Sequence, residues 1–292
     1  MLFAFLELGI FTAKALIIAL MIIIVLIAFA VIVAKSKGKS KSELKIEHLN
    51  AKYREVKDEI LSQTLDKKAY KAYLKRCKAE EKARANQTRS KLYVIEFAGD
   101  LKASTVPQLA DTVTAILNVA TPADEVVVKI DSPGGVVNGY GLAAAQLLRF
   151  RQKNIPLTAT VDKMAASGGY MMACVANKII AAPFAILGSI GVIVQLPNVH
   201  RWLKDHQVDF EQQTAGQYKR TLTVFGENTE EGRHKLQEEI EEVHGLFKQL
   251  IVSNRPQLDI NQVATGEHWL GQQALDLKLV DALQDRKSTR LN

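Results

Sequence analysis

Apolar and polar positions change rhythm several times along the chain. Ala15 to Ala34 (ALIIALMIIIVLIAFAVIVA) is uncharged for 20 residues, the length a helix needs to cross about 30 Å of hydrocarbon. It is too long and too uniformly apolar for a signal-peptide core, and no small-residue cleavage site follows, so it reads as a retained anchor. Ile46, Leu49, Tyr53, Val56 and Ile60 then recur at spacings of three and four, which predicts an amphipathic helix with a short coiled-coil-like seam. Lys67 to Lys91 continues as a helix-prone, highly charged segment, and Gln87 to Ser90 reads as a linker.

From Leu92 the rhythm becomes that of alternating strands and helices. Strands are predicted at Leu92–Phe97, Glu125–Ile130, Leu157–Val161, Lys178–Ala182, Val192–Leu196 and Val208–Gln212, and helices at Thr105–Val119, Gly139–Phe150 and Thr229–Asn254. The last helix opens on Asn228-Thr229-Glu230-Glu231, a good capping sequence. Leu187 to Gly191 reads as a turn and Thr214 to Arg220 as a loop. This alternation argues an α/β domain around a largely parallel sheet, with its ligand site beyond the carboxyl ends of the strands.

Charge is unevenly spread. Residues 35–91 hold 18 Lys or Arg against 8 Asp or Glu, a net of +10, while the whole chain is +7. The basic excess therefore belongs to the stalk, and the rest sums to about −3. A solvated helical spacer and attraction to anionic lipid headgroups both fit it. Aromatics for base stacking are few and no recognition fold accompanies the stalk, which argues against a nucleic-acid partner. Lys35, Lys37, Lys39 and Lys41 directly follow the apolar span, whereas only Glu7 and Lys14 precede it. The positive-inside rule thus puts the C-terminal part in the cytoplasm.

Candidate chemistry centres on Asp162 to Ala176 (DKMAASGGYMMACVA). Ser167 stands between Ala165-Ala166 and Gly168-Gly169, followed by an uncharged run that reads as a buried helix starting at the serine. Nothing bulky stands beside its hydroxyl, and a helix start offers free N–H groups to an oxyanion. A second glycine loop, Ser132-Pro133-Gly134-Gly135, follows the preceding strand; no Lys-Ser or Lys-Thr follows its glycines, so it is not a phosphate loop. Cys77 and Cys174 form no disulfide framework, and neither has a metal-ligand spacing. The six histidines fall into no Ser-His-Asp or zincin pattern; His234 and His244 lie on the charged helix as solvent-exposed positions, and His268 is the one tempting base. A lysine partly neutralised by burial is the other option for a serine nucleophile. Lys219 and Lys163 lie nearest the small-residue loops, and spacing does not choose between them.

The stretch from Leu92 to about Leu283 resembles the signal peptide peptidase A family of serine peptidases, closest to its SohB inner-membrane branch, which has the ClpP/crotonase fold. The residues that carry the resemblance are Asp131 to Gly135, Val161 to Tyr170, Gly188 to Val192, Thr214 to Thr221 and Gly266 to Ala274. The resemblance implies Ser167 as nucleophile, Lys219 as general base, Ser189 as the residue orienting that lysine, and the N–H groups of Gly135 and Gly168 as the oxyanion hole. It implies no cofactor or metal, peptide or protein substrates, and a homo-oligomeric ring in which serine and lysine can come from adjacent protomers. It also places the enzyme in the bacterial inner membrane with its catalytic domain on the outer side, against the charge rule.

The expected organisation is an anchor over 1–34 with a single-pass transmembrane helix at about 15–34, a basic helical stalk over 35–91 and a peptidase domain of repeated β-β-α units over 92–285. The tail 286–292 matches nothing expected there and reads as truncation or foreign sequence. The expected function is that of a membrane-anchored Ser-Lys endopeptidase acting on membrane-associated or leader-like peptides. Its rivals are a crotonase-type acyl-thioester enzyme on the same fold and a catalytically silent membrane scaffold.

Overall fold

In a computed structural model of the chain, residues 14, 16, 19–24, 26, 27, 44–85 and 90–284 are described. The apolar run at 15–34, the linker at 87–90 and the tail at 286–292 fall mostly or wholly outside them. The described positions of the apolar run are helical and exposed. Among the described residues no helix is long and apolar enough to cross a membrane.

The chain divides into two compact units, Met1–Ala72 and Tyr73–Asn292. In the first, α1 (Leu49–Thr64) carries the seam predicted from the three-and-four spacing, with no residue of the helix buried. Helix α2 (Lys67–Ala85) begins where Asp66 Oδ1 accepts the N–H groups of Lys68 and Ala69 at 2.8 Å each, a side-chain cap on otherwise unpaired donors.

In the second unit the β-branched runs become a parallel sheet. Strands β1 (Leu92–Ala98), β2 (Glu125–Asp131), β3 (Leu157–Val161), β5 (Lys178–Ala181) and β8 (Ala282–Leu283) lie in the order β1-β2-β3-β5-β8, every pair parallel. The register aligns Ile95, Val128, Ala159 and Ile179 across four strands, and all four are buried. Strand β3 is buried at all five positions, as expected of a parallel strand covered on both faces. Helix α3 (Val106–Leu117) opens with a proline in its first turn, and α4 (Val137–Gln152) buries Tyr140, Ala143, Ala144, Leu147 and Phe150, the stripe a 3.6-residue period presents to a core.

A second, smaller sheet is built from three-residue strands: β4 (Met164–Ala166), β6 (Ile186–Gly188) and β7 (His268–Leu270). The chain passes from β3 to β4 and into α5 (Gly168–Ala173), then from β5 to β6, so each passage leaves the main sheet for the small one. These are the β-β-α units that the resemblance implies. Further on come α6 (His200–Asp205), α7 (Glu230–Asn254), α8 (Ile260–Val263) and α9 (Gly271–Asp276). Thr229 caps α7 by accepting the Gly232 N–H at 3.1 Å. Arg255, just past the end of α7 and only 2% exposed, makes two 2.8 Å hydrogen bonds to Asp281, whose Oδ2 also accepts the Ile179 N–H at 2.7 Å. That pair ties the end of α7 to the β5–β8 edge.

Two predicted strands are absent. Val192–Leu196 and Val208–Gln212 are irregular and largely exposed, with Ile193 at 75%. Their β-branched residues have the propensity, but propensity yields a strand only where a neighbour accepts the ladder and one face is covered. The turn read at Leu187–Gly191 contains the end of β6 instead, too short a strand for alternation to reveal.

Candidate active site

Ser167 occupies the junction of β4 and α5. Its N–H donates to the Gly188 carbonyl at 2.7 Å, and its own carbonyl accepts the Met171 N–H at 2.9 Å. Its backbone stands at φ 51°, ψ −117°, a conformation L-residues rarely adopt, which small neighbours and a tight strand-to-helix turn hold in place. The side chain is half-buried. The helix it starts is wholly buried.

The Ser132–Gly135 loop meets it from the end of β2. Ser132 donates its N–H to the Met164 carbonyl at 2.9 Å, and Ala166 donates to the Ser132 carbonyl at 3.1 Å, closing a parallel bridge between Ser132 and Ala165. Gly134 has φ +87°, and a Cβ there would stand 2.6 Å from the Gly168 nitrogen and 2.8 Å from the Ser167 Cβ. Only glycine allows the two loops this close. A Cβ on Gly135 would overlap the Leu101 carbonyl, and one on Gly168 the Tyr140 ring.

The donors divide cleanly. The Gly134 N–H is engaged, donating to Ser132 Oγ at 3.1 Å. Neither the Gly135 nor the Gly168 N–H has a hydrogen-bond partner among the described residues, and Gly168 is the first residue of α5, where helical N–H groups are intrinsically unpaired. Both glycines expected as oxyanion donors therefore have N–H groups left over for a ligand, as does Gly169, the next residue of α5.

Beneath these loops lies an arrangement that sequence reading missed. Tyr140, fully buried on α4, donates its hydroxyl proton to the Asp100 carbonyl at 2.8 Å, and its oxygen lies 2.6 Å from Ser132 Oγ. Burial pushes the phenol above its ordinary value. The Asp100 side chain turns away to Ser104, whose N–H and hydroxyl it accepts at 2.8 and 2.6 Å, and those bonds hold the carboxyl low. In sequence Tyr140 is one more apolar-stripe position, eight residues from Ser132 and forty from Asp100, so no local signal joins the three.

Ser189 follows β6 directly. Its N–H donates to the Glu267 carbonyl at 2.6 Å and its φ is 50°. The β4–β6 register pairs Ala166 with Gly188, so Ser167 and Ser189 leave the same end of two adjacent strands. Among the described residues, Lys219 takes no part in the hydrogen bonds of this site. It lies in an exposed segment, its N–H bonded to the Gly216 carbonyl at 3.1 Å, and its amine makes no hydrogen bond to Ser167 or Ser189. Lys163 is 78% exposed and directed to Asp131, 3.4 Å away. His268 pairs through its backbone with Gly188, with its side chain exposed. His234 contacts Glu238 at 3.2 Å, whereas His244, expected on the solvent side, is half-buried with Nε2 3.2 Å from the Ile190 carbonyl. Cys174 is buried, which pushes its thiol up to about 12 and removes it from nucleophilic chemistry. Among the described residues no three His, Cys, Asp or Glu side chains cluster as metal ligands would.

Residues 4–147 match the family model for "Peptidase family S49 N-terminal" and residues 149–291 that for "Peptidase family S49". A protein of Haemophilus influenzae described as "Probable protease SohB" is 60% identical over 192 residues, 66% of this chain and 54% of that one. The chain thus spans about half the length of that relative. A "Probable protease SohB" of Buchnera aphidicola subsp. Schlechtendalia chinensis is 48% identical over 256 residues, 83% of this chain and 84% of the relative. Among solved structures, a Listeria monocytogenes ClpP1 mutant aligns with a TM-score of 0.45 at 13% identity, over 67% of this chain and 92% of that one. At that similarity the fold assignment rests on the strand order and not on the alignment. The two matched halves and the identity to the Buchnera protein put the chain in peptidase family S49, on its SohB branch.

Proposed function

We propose that the chain is a membrane-anchored serine endopeptidase with a Ser167-Lys219 dyad, acting on membrane-associated or leader-like peptides. The observation that carries this reading is the junction at Ser167: a half-buried serine in a rare backbone conformation, flanked by two glycines whose N–H groups are free. Ser167 Oγ attacks the scissile carbonyl while Lys219 Nζ takes the hydroxyl proton, and Gly135 and Gly168 donate to the oxyanion. The C–N bond then breaks as the lysine passes its proton to the leaving amine. Water, deprotonated by the lysine, opens the acyl ester and restores the serine. Ser189 orients the amine. The chemistry needs no cofactor.

A lysine acts as a base only where it is sheltered from water, and Lys219 is exposed in the single chain. The same segment exposes Phe210 and Phe225, and the short helix before it exposes Trp202, aromatic surface that a neighbouring copy would cover. Both features support a homo-oligomeric ring in which a neighbouring copy covers this segment and the lysine of one copy serves the serine of another. The apolar run at 15–34 supports a single-pass anchor in the inner membrane, with lipid as its surroundings.

The test is acylation of the detergent-solubilised full chain by a fluorophosphonate, read by mass, for wild type, Ser167→Ala and Lys219→Ala. Labelling in the wild type alone, absent from both variants, supports the dyad. Labelling that survives Lys219→Ala moves the base elsewhere, and none in an assembled wild type favours the silent scaffold.

A further inference from the structure

The two glycine donors of the proposed oxyanion hole come from different parts of the chain, and one side chain lies against the first, Gly168, and is linked through Ser132 to the loop of the second, Gly135. A carbonyl has no proton to give, so the 2.8 Å contact between Tyr140 and Asp100 fixes the phenol as donor. The single phenolic proton is then spent, and the 2.6 Å contact with Ser132 Oγ requires the serine hydroxyl to donate to the phenol oxygen. Ser132 Oγ in turn accepts the Gly134 N–H at 3.1 Å. The hydrogen bonds therefore run one way, from Gly134 N–H through Ser132 and Tyr140 to the Asp100 carbonyl, the first two buried and the last part-buried, a setting in which such chains reinforce one another.

This chain ties the Gly134 N–H inward and leaves the next one, on Gly135, as the loop's free donor. The other end of the same side chain governs the second donor. Gly168 sits so close to the Tyr140 ring that a Cβ would overlap it, and Gly99 packs against both the Tyr140 and Ser132 hydroxyls with no room for a side chain. The ring thus sets the height of Gly168 while the hydroxyl sets the direction of Gly135.

The geometry points to Tyr140 as a positioning residue for acyl transfer, one that fixes the spacing of the Gly135 and Gly168 N–H groups through its hydroxyl and its ring. The inference rests on the peptidase reading of Ser167. Tyr140 touches no substrate; it acts through the two donors. Substituting Tyr140→Phe keeps the ring under Gly168 and removes only the hydroxyl link, and Ser132→Ala breaks the same chain one bond earlier.

The experiment is the kinetics of fluorophosphonate labelling on the full chain in detergent, separating the inactivation rate constant kinact from the half-saturating concentration KI. The labelled fraction at completion corrects for unfolded protein. Removing an oxyanion donor outright lowers rates about a hundred- to a thousandfold, and misaligning one is expected to lower kinact about ten- to a hundredfold. KI should stay within about twofold, because the ground-state carbonyl or phosphoryl group leans little on these donors. Ser132→Ala should match Tyr140→Phe, and the double variant should be no worse than either, since both cut one chain. A Tyr140→Phe enzyme with wild-type kinact, or one whose loss is explained by its labelled fraction alone, overturns the positioning role while leaving the peptidase reading in place. Ser132→Ala serves as the deciding variant if Tyr140→Phe fails to fold. No labelling of wild type overturns the peptidase reading and this inference with it.

Discussion

The serine side and the lysine side of the proposed site are built in contrasting ways. Ser167 and its glycine donors stand on strands and helices that the unit folds for itself: β2, β4 and β6 are stitched by backbone hydrogen bonds, and α5 is buried throughout. Residues 207–228, which carry Lys219, hold no helix or strand and are mostly exposed. Asn198 makes two side-chain bonds at 2.9 Å to the Thr223 and Gly226 carbonyls, and Phe210 rests against Phe225 with ring centroids 5.5 Å apart. That is local order without a core beneath it. An acyl-transfer nucleophile has to be preorganised, whereas a base delivered by assembly need not be until assembly occurs. On the proposed reading, the single chain supplies the serine half of the site and the oligomer would supply the rest.

Several substitutions sharpen that contrast. The largest effect is chemical: Ser167→Ala should abolish labelling outright, with the melting curve preserved. Next comes the packing of the finished half. Arg255→Ala removes a buried guanidinium and its two hydrogen bonds to Asp281 and should destabilise the second unit by about 1.5–3 kcal/mol in denaturant titration. Lys219→Ala, on the exposed side, should leave that stability within about 0.5 kcal/mol. Gly168→Ala drives a methyl group into the Tyr140 ring and should destabilise by about 1–3 kcal/mol.

The Asp281 pair also gives a pH signature. Burial opposes ionisation of that carboxyl, but the Arg255 hydrogen bonds and the Ile179 N–H outweigh it and hold the carboxyl below its ordinary value. A lowered folded-state value means stability present above the unfolded carboxylate range and lost as pH falls through the folded value. The melting temperature should therefore drop on acidification below about pH 4, and Asp281→Asn, already destabilised, should show a shallower drop. One substitution is expected to bring a gain. Ser167→Gly removes the strain of φ 51° and should be more stable than Ser167→Ala by about 1 kcal/mol.

What could be read from the sequence divides along the same line. Leu92–Phe97, Glu125–Ile130 and Leu157–Val161 were legible because β-branched runs bounded by loops satisfy both propensity and burial, and α7 because its capping residues and its period agree. Strands β4, β6 and β7 were not, since three residues hold too little alternation to register. Val192–Leu196 and Val208–Gln212 were over-read for the opposite reason, as strand formers with nothing to pair with in the single chain. Ser167 and the glycine loops were legible through small residues flanking a hydroxyl. The choice of Lys219 over Lys163 came from resemblance, because both lie near small-residue loops and spacing does not separate them. The Tyr140 chain stayed hidden because its partners lie up to forty residues apart.

The most direct test of a half-site completed by assembly is to mix two inactive chains. Ser167→Ala supplies lysines without a nucleophile, and Lys219→Ala supplies nucleophiles without a base. The full-length variants would be dissociated and reassembled together in detergent, then exposed to the fluorophosphonate, with mass distinguishing the two chains. Labelling of the Lys219→Ala chains in the mixture, absent from either variant alone, is the expected result. A mixture as inert as its components, beside a wild type that labels after the same treatment, would contradict a base supplied between copies.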